Sequence, residues 1–396
     1  MLTRKRILLT AESDDLLKVI SVDRATGKTA WERSVKRLRN EFKNPLNDGA
    51  SSSAVTDGAN VYGFFGDFGL ISFDESGRER WRTPIEARSS LWGAATSPVL
   101  VDGTVVLLLD GFARSSIVGF DARTGNRKWE IERPPFRLNY TTPLTGSSGA
   151  GCEALAVSPD EITAYNPANG ERRRSEKLPP GNMIGSPIFT DPDTVIAMIY
   201  SAEQVPPFPD RDSDGVVTAA DIPTDPKDWQ VTRTLRMIAD ESGDRDGKIT
   251  SAEWTHFWRN YQGTPSIVAT GIGERRGLKW SYTKGVARVP TPLHYRDIVY
   301  QLNNGGILTA LDSRTGAARK VGRLEGAIDN YYASPVAADG HIYLVSESGK
   351  APVVQAGPDW IVKTVNDLDE PCYATPALSG GRLFLRTTRS LCCFGR

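Results

Sequence analysis

The chain has 396 residues, and its 48 Lys and Arg side chains balance its 48 Asp and Glu side chains, so the formal net charge is zero. This balance argues against binding to nucleic acid or to an anionic membrane through basic charge. No apolar run reaches the length of about 18 residues that a membrane-spanning helix needs, and the four cysteines and three scattered histidines are too few for a disulfide framework or a His-rich zinc site.

The chain opens with "MLTRKRILLTAESDDLL", whose frequent charges are untypical of a signal peptide. After this opening, a small residue followed by proline and an apolar pair recurs along the sequence. The residues after the Ser or Thr of each copy are Ala54, Pro98, Pro143, Pro187, Pro292, Pro335 and Pro376. The copies are separated by 44, 45, 44, 105, 43 and 41 residues, so one step is much longer than the others.

A second repeated motif predicts a hairpin turn. Its copies read "VDRATGKTAW", "FDESGRERW", "FDARTGNRKW", "YNPANGERRR" and "LDSRTGAARK". The Asp or Asn ends a strand by accepting hydrogen bonds from local backbone amides, and the glycine adopts a left-handed conformation that other residues resist. Trp31, Trp81 and Trp129 stand four residues after the glycine, and their recurrence with the repeat predicts packing between the repeated units.

These residues resemble the PQQ-like (quinoprotein) β-propeller repeat, whose hallmark is Asp-x-x-Thr-Gly-x-x-x-Trp. "DRATGKTAW" and "DARTGNRKW" match it in full, whereas the copies that end in Arg174 and Lys320 lack the Trp, which predicts weaker docking there. A period near 44 residues, with four short strands per unit, is typical of a propeller blade. The resemblance predicts an all-β, eight-bladed β-propeller. This is the blade number of quinoprotein dehydrogenases and of the BamB-type scaffold lipoprotein of outer-membrane assembly.

The first and last blades are predicted to be incomplete. The inner strand that belongs with Asp23 would lie at or before residue 3, and the last outer strand would begin at Arg396. Propellers of this type close by lending an N-terminal strand to the last blade, so we expect a further N-terminal segment that could also carry an export signal. With such a signal the protein would be periplasmic or secreted, and otherwise it would be cytoplasmic.

The long step predicts an insertion at residues 203–263 within blade five, flanked by propeller segments 1–202 and 264–396. The insertion contains "DRDSDGVVTAAD", which matches a calcium-binding loop because carboxylates occupy alternate positions around a glycine. The ligands in loop order are Asp210, Asp212, Asp214, the Val216 carbonyl, Thr218 and Asp221. Asp221 is shorter than the usual bidentate Glu, which favours looser calcium binding or a magnesium ion.

A second loop, "SGDRDGKITSAE", follows in the same insertion. Its ligands in the same order are Ser242, Asp244, Asp246, the Lys248 carbonyl, Thr250 and Glu253. Ser242 is a poor first ligand, which Asp240 or a water molecule could replace. Val217 and Ile249 stand where paired EF-hands form a short shared β-link.

The segments "DWQVTRTLRMIAD" and "AEWTHFWRNYQ" have helical apolar spacing. Their predicted core consists of Leu235, Ile238, Trp254, Phe257 and Trp258. The insertion therefore resembles an EF-hand pair. Its Pro-rich entry and first loop ending in Asp also resemble a dockerin repeat.

Three functions remain open. We favour a non-catalytic propeller that binds a protein or extended ligand on its face or in its funnel, with calcium stiffening the insertion. The resemblance also implies a PQQ-dependent alcohol or sugar dehydrogenase, although no local motif identifies a quinone-binding Arg or a catalytic Asp. The third possibility is a calcium-dependent docking module in which Trp229, Trp254 or Trp258 forms a partner groove.

Adjacent cysteines at 392 and 393 bear on the dehydrogenase hypothesis, because some PQQ enzymes hold the cofactor under a disulfide between neighbouring cysteines. "SLCCFG" is predicted as the third strand of the last blade, in which neighbouring side chains point to opposite faces. A bridge between adjacent residues also requires a strained peptide. We therefore expect two reduced thiols, at least one of them packed inside, and do not favour PQQ as a cofactor.

Overall fold

The computed structural model describes residues 1–40, 47–86, 88, 92–111, 114–133, 139–149, 151–158, 160–179, 181, 183–201, 205–225, 227, 229–241, 246–261, 264–274 and 276–395. Within these residues the chain forms eight antiparallel sheets of three or four strands that follow one another along the sequence. Each sheet is one blade, which confirms the predicted eight-bladed propeller. No helix in the described ranges is long and apolar enough to cross a membrane.

The first four blades are simple meanders in which consecutive strands pair antiparallel. Blade one consists of β1 (Arg6–Ser13), β2 (Leu16–Asp23) and β3 (Thr29–Lys36). Blade two consists of β4 (Val55–Thr56), β5 (Asn60–Phe65), β6 (Gly69–Asp74) and β7 (Glu79–Pro84). Blade three consists of β8 (Val99–Val101), β9 (Thr104–Leu109), β10 (Ser115–Asp121) and β11 (Arg127–Arg133). Blade four consists of β12 (Leu144–Ser148), β13 (Gly151–Val157), β14 (Glu161–Tyr165) and β15 (Arg172–Lys177).

The fifth blade is interrupted by additional elements. It begins with β16 (Ile188–Asp191) and β17 (Thr194–Ser201) and ends with β20 (Thr264–Gly271) and β21 (Gly277–Tyr282). Between β17 and β20 lie β18 (Val216–Val217), α1 (Trp229–Glu241), β19 (Ile249–Thr250) and α2 (Ser251–Tyr261). We call residues 203–263 the insert.

The last three blades return to the simple meander. Blade six consists of β22 (Leu293–Tyr295), β23 (Ile298–Asn303), β24 (Ile307–Asp312) and β25 (Ala318–Arg323). Blade seven consists of β26 (Val336–Ala338), β27 (His341–Tyr343), β28 (Lys350–Gln355) and β29 (Ile361–Asp367). Blade eight consists of β30 (Ala377–Ser379), β31 (Arg382–Arg386) and β32 (Leu391–Gly395).

The hydrophobic core lies between neighbouring blades. The second strand of blade three, β9, is buried along its whole length, because another blade covers each face of its sheet. Outer strands differ: in β3 only Trp31 and Val35 are buried. One core cluster combines Tyr62 and Phe64 of blade two with Leu107 of blade three, so the core joins successive sheets into one ring.

The repeated Asp motif forms the predicted hairpin turn. In blade three, one oxygen of Asp121 accepts hydrogen bonds from the amides of Arg123 (3.0 Å) and Thr124 (2.8 Å). Gly125 follows in the left-handed conformation, with φ of 76°. These contacts stabilise the charged form of the carboxyl, and although burial opposes the effect, the pKa of Asp121 is lowered.

The tryptophans dock each blade onto the next one. Each indole Nε1 donates a hydrogen bond to a carbonyl in the turn of the following blade, at distances between 2.9 and 3.1 Å. The four donors are Trp31, Trp81, Trp129 and Trp280. Where the indole is absent, a cation donates instead: Arg174 to the Ile272 carbonyl (3.0 Å) and Lys320 to the Trp360 carbonyl (2.7 Å). In blades one to six the inter-blade donor is therefore kept even where the indole is replaced, whereas blade seven has Thr364 at the equivalent position.

A second set of inter-blade hydrogen bonds runs along the inner strands. In each of these bonds, the backbone amide of the Ser or Thr that precedes the motif proline donates to the hydroxyl of the equivalent Ser or Thr in the next blade. In blade two, Ser53 occupies this position although no proline follows it. The pairs are Ser53 to Ser97, Ser97 to Thr142, Thr142 to Ser186, Ser186 to Thr291, Thr291 to Ser334 and Ser334 to Thr375, with distances of 3.0 to 3.2 Å. These hydroxyls explain why Ser or Thr precedes each proline, which is a role that the sequence analysis missed.

The ring closes by packing blade eight against blade one. Arg24 donates a hydrogen bond to the Ser379 carbonyl (2.6 Å), and Arg386 donates one to the Thr10 carbonyl (2.8 Å). Ile7 of blade one and Phe384 of blade eight share an apolar cluster. As predicted, both sheets have three strands, and in blade one only an isolated bridge between residues 2 and 7 stands at the inner edge.

Candidate metal-binding site in the insert

The insert leaves blade five between two paired strands. β17 and β20 remain in register along their whole length, from Thr194 opposite Gly271 to Ser201 opposite Thr264. The ladder of blade five therefore continues to the base of the insert, and the insert forms its own small core, described below.

Three carboxylates converge in the first loop of the insert. Asp210, Asp212 and Asp214 each place one oxygen within 4.8 Å of the others. Asp210 also organises the loop backbone, because its two oxygens accept hydrogen bonds from the amides of Ser213 (2.8 Å) and Gly215 (2.9 Å). Gly215 has φ of 92°, a left-handed conformation that lets the chain turn around the carboxylates. The arrangement provides the oxygen donors that a hard cation prefers.

The carboxylates of this loop influence one another's protonation. The backbone hydrogen bond from Asp214 acts to lower the pKa of Asp212, but burial and the negative charges of Asp214 and Asp221 outweigh it and raise that pKa. The pKa of Asp221 is instead lowered, chiefly by the backbone hydrogen bond from Thr218. Charge repulsion at Asp212 is the effect that a bound cation would relieve.

The last ligand position of both loops has the same local geometry. The amide of Thr218 donates to Asp221 Oδ2 (2.8 Å), and the amide of Thr250 donates to Glu253 Oε2 (2.8 Å). The hydroxyl of each threonine also donates to the same carboxylate oxygen. In each of these two pairs, one carboxylate oxygen is held by the backbone three residues earlier.

The second loop is described only in part. Ser242 and Asp244, which were predicted as its first two ligands, lie outside the described residues. Asp246 accepts a hydrogen bond from the amide of Lys248 (2.8 Å), which forms a tight turn before β19.

The two loops meet through the short sheet of β18 and β19. Val217 lies opposite Ile249 in antiparallel register, at the two positions predicted for a shared β-link. Both helices are present, and the predicted apolar residues form one core with the β-link. Trp254 in this core donates its Nε1 hydrogen bond to the Pro206 carbonyl (2.9 Å). Trp254 is therefore used for packing, and Trp258 lies partly buried against the same core.

The adjacent cysteines lie away from the centre of the ring. β32 is the third strand outward from the innermost strand of blade eight, where Cys392 is half-buried and Cys393 is exposed. Both thiols are free, and only Cys392 is partly packed. A disulfide here could not cover a cofactor on the propeller axis. Burial raises the pKa of the nearby Cys372 thiol to about 11, which keeps that thiol protonated at neutral pH.

A polar cleft lies in loops of blades two to four, on the side from which the insert also leaves the ring. Arg39, Arg88 and Asp110 are among its lining residues. Burial and the neighbouring charge of Arg114 lower the pKa of Arg88. Beside the cleft, Arg133 pairs with the fully buried Asp110 (3.0 Å). The sequence analysis missed the cleft because these residues come from connections far apart in the chain and share no motif.

Comparisons with known proteins agree with this architecture. Residues 17–205 match the family model described as outer membrane protein assembly factor BamB. No curated protein matches the sequence.

Solved structures with the same fold share little sequence with this chain. BamB from Moraxella catarrhalis has a TM-score of 0.60 at 12% identity, over 98% of this chain and 94% of that chain. A computationally designed protein, Ika8, has a TM-score of 0.57 at 11% identity, over 100% and 97% of the two chains. A europium-containing methanol dehydrogenase has a TM-score of 0.56 at 11% identity, over 95% and 78%. The chain therefore has the fold of an eight-bladed β-propeller, and residues 17–205 are similar to the BamB family.

Proposed function

We propose that the protein is a non-catalytic scaffold, whose propeller binds another protein or an extended ligand and whose insert binds calcium. The similarity to BamB, whose family description names outer membrane protein assembly, is the observation that carries the scaffold role. The proposal divides the chain into the propeller, residues 1–202 and 264–396, and the insert, residues 203–263. It also favours a periplasmic or secreted location.

The first loop supplies the ligands for calcium in this proposal. Asp210, Asp212 and Asp214 would contribute carboxylate oxygens, since these oxygens already lie within 4.8 Å of one another. The Val216 carbonyl, Thr218 and Asp221 complete the loop. One oxygen of Asp221 is held by Thr218, so the cation would take the other.

In the second loop, the ligands would be Ser242, Asp244, Asp246, the Lys248 carbonyl, Thr250 and Glu253. Glu253 is longer than Asp221, and because Thr250 holds one of its oxygens, the cation would take the other. The β-link joins the two loops, so that ordering one loop restrains the other. Calcium would thus stiffen the insert without entering the propeller core.

Isothermal titration with calcium tests the metal site. We expect the Asp214→Ala variant to lose binding in the first loop, because the substitution removes a central carboxylate. Asp225→Ala is the matched control, since Asp225 is an exposed carboxylate of the insert outside both loops. Equal calcium binding by both variants would show that the acidic cluster is not the site.

A deletion separates the insert from the propeller. Ser201 and Thr264 are register partners, so an Asn-Gly turn can join them in place of residues 202–263. We expect the shortened protein to keep its β-sheet circular dichroism and to bind no calcium. Retained calcium binding would place the metal in the propeller instead.

The dehydrogenase alternative is tested with added PQQ. The fold similarity to a methanol dehydrogenase motivates it, but a shared fold does not carry activity. We expect no PQQ to be retained through gel filtration and no dye-linked alcohol oxidation. Stoichiometric retention of PQQ would overturn the non-catalytic proposal.

A docking module built on the insert is the third hypothesis. Trp254 is buried and hydrogen bonded, which leaves little of it to form a partner groove. The Trp229 side chain lies outside the described residues. We therefore propose the propeller as the interaction surface and calcium as a stabiliser of the insert.

A further inference from the structure

Two tyrosines lie side by side in the connections that lead into blades seven and eight. Tyr332 and Tyr373 each stand two residues before the Ser or Thr that precedes a motif proline, so they hold the same place in the repeat. The hydrogen bond from the Ser334 amide to the Thr375 hydroxyl (3.0 Å) holds the two connections together. The ring centroids are 5.6 Å apart, and Tyr373 remains 45% exposed. Part of this aromatic surface therefore faces solvent.

A carboxylate is fixed beside these rings. Glu347 lies in the turn between the second and third strands of blade seven, which corresponds to the point where the insert leaves blade five. The Tyr373 hydroxyl donates to Glu347 Oε1 (3.1 Å), and Asn330 Nδ2 donates to Glu347 Oε2 (3.0 Å). The backbone is held as well, because the Glu347 amide donates to the Asn330 carbonyl (2.9 Å) and the Glu347 carbonyl accepts from the Cys372 amide (3.0 Å). The carboxylate is therefore positioned before any ligand arrives.

Asp329 adds a second fixed carboxylate. Its Oδ2 accepts hydrogen bonds from the Ser348 amide (2.9 Å) and from the Ser348 hydroxyl (2.5 Å). Burial acts to raise the pKa of Asp329, but hydrogen bonds from Ser346 and Ser348 outweigh it and lower that pKa to about 2. Burial, followed by the charges of Glu347 and Asp329, raises the pKa of Tyr332. Both carboxylates therefore act on the aromatic surface.

Neither carboxylate has a cationic partner among the residues that the structure describes. Lys350 interacts electrostatically with Asp329 but forms its ion pair with Asp367. Two carboxylates are also too few for a calcium ion, which takes about six to eight oxygen ligands. The negative charge beside the rings is therefore available to an organic cation.

An arginine side chain fits this combination. Its planar guanidinium stacks on aromatic rings and donates parallel hydrogen bonds to a carboxylate. Each Glu347 oxygen uses one acceptor site for Tyr373 or Asn330, so a second acceptor site remains on each oxygen. Ile328, which is 66% exposed next to Asp329, provides an apolar contact for the neighbouring residues of the ligand. We call the following residues the acidic tyrosine patch: Ile328, Asp329, Tyr332, Glu347 and Tyr373.

We propose that the acidic tyrosine patch binds an arginine side chain in an extended segment of a partner protein. The guanidinium stacks against the Tyr373 ring and donates to the Glu347 carboxylate, while the charge of Asp329 adds attraction. This inference rests on the proposed scaffold role and places its interaction surface on the connections of blades six to eight. The binding needs no calcium in the insert.

Fluorine NMR of the full chain labelled with 3-fluorotyrosine tests the proposal at single side chains. The chain contains 12 tyrosines, and the variants Tyr332→Phe and Tyr373→Phe assign the two resonances of the patch. The probe is the peptide acetyl-Gly-Val-Arg-Val-Gly-amide. Its control peptide carries citrulline, which has the shape of arginine without the charge. We expect the arginine peptide to shift both resonances saturably and the citrulline peptide to leave them unchanged.

Two protein variants test the carboxylate. Glu347→Gln keeps the size of the side chain and removes its charge, so the Kd for the arginine peptide should rise about tenfold. Glu325→Gln is the matched control and should leave the Kd unchanged, because Glu325 is an exposed carboxylate of the same inter-blade connection outside the patch.

Three results would overturn the proposal: resonances that do not shift, equal shifts with the citrulline peptide, or an equal Kd for the two Gln variants. Any of them would leave the scaffold role to another surface of the propeller. The scaffold role itself fails separately, on stoichiometric retention of PQQ, whatever the peptide does.

Discussion

Replacing Arg174 tests whether a cation can substitute for the docking indole. Arg174 Nη2 lies 2.7 Å from Glu153 Oε2, and its Nη1 donates to the Ile272 carbonyl of the next blade at 3.0 Å. The Glu153 side chain is only 1% exposed, so Arg174→Ala leaves a buried carboxylate without its main partner. Breaking such a pair costs about 3–5 kcal/mol. Arg173, whose nearest nitrogen is 4.0 Å from Glu153, compensates weakly, so we expect a loss near the lower end, about 3 kcal/mol.

Urea unfolding followed by circular dichroism measures this loss. Arg172→Ala is the matched control on the same strand, since its ion pair with Glu161 is largely exposed and contributes about 0–1 kcal/mol. Adding Glu153→Gln to Arg174→Ala should recover part of the stability, because it removes the unpaired buried charge. If Arg174→Ala destabilises the protein no more than Arg172→Ala does, the cation does not act as an inter-blade dock.

Three further substitutions probe the same interfaces. Trp129→Phe removes the hydrogen bond to the Pro167 carbonyl (2.9 Å) and should cost about 1–3 kcal/mol in thermal unfolding, whereas an unchanged transition would deny the indole donor a role. Ser97→Ala removes the acceptor of the Ser53 amide (3.0 Å) and should cost about 0.5–1.5 kcal/mol. Ser76→Ala is its control, because the Ser76 hydroxyl bonds to Asp74 within its own exposed turn (2.6 Å). The pKa of Asp312 is lowered to about 2, chiefly by a hydrogen bond from Arg319 and further by hydrogen bonds from Thr315, although burial opposes these effects. This value lies below the pKa of about 3.9 that the group has in the unfolded chain. Its stabilisation is therefore complete above that unfolded value and is lost as the pH falls towards 2, so Asp312→Asn should flatten the pH dependence of stability there.

The architecture of the ring could be predicted from the sequence because its local signals repeat. Asp121, for example, acts through hydrogen bonds to amides two and three residues away, so its role can be inferred without tertiary contacts. The β-link between Val217 and Ile249 was predicted for the same reason, since loop position alone places both residues.

Contacts across blades could not be predicted in the same way. Arg174 was expected to weaken docking because it is not Trp, yet its partner carbonyl at Ile272 lies 98 residues away, beyond the insert. The inter-blade hydrogen bonds to the Ser and Thr hydroxyls were equally hidden, although Ser or Thr before each motif proline was a visible signal. The polar cleft had no repeated signal, because its residues lie in connections that differ between blades.

In blades one to six, a small residue of the third strand lies opposite the docking Trp, Arg or Lys. These small residues are Ser21, Ser72, Gly119, Ala164, Ala269 and Ala310. A Cβ atom on Gly119 would lie 2.2 Å from the Trp129 ring, so the indole can lie flat over the third strand only where that strand carries Gly, Ala or Ser. The donor then reaches the turn of the next blade, whose glycine must also lack a side chain, as Gly170 does beneath the same ring. Each docking side chain is therefore held between a small residue of its own blade and a glycine or open turn of the next. Because the requirement concerns space and one donor, Arg and Lys can satisfy it where the sequence lacks Trp.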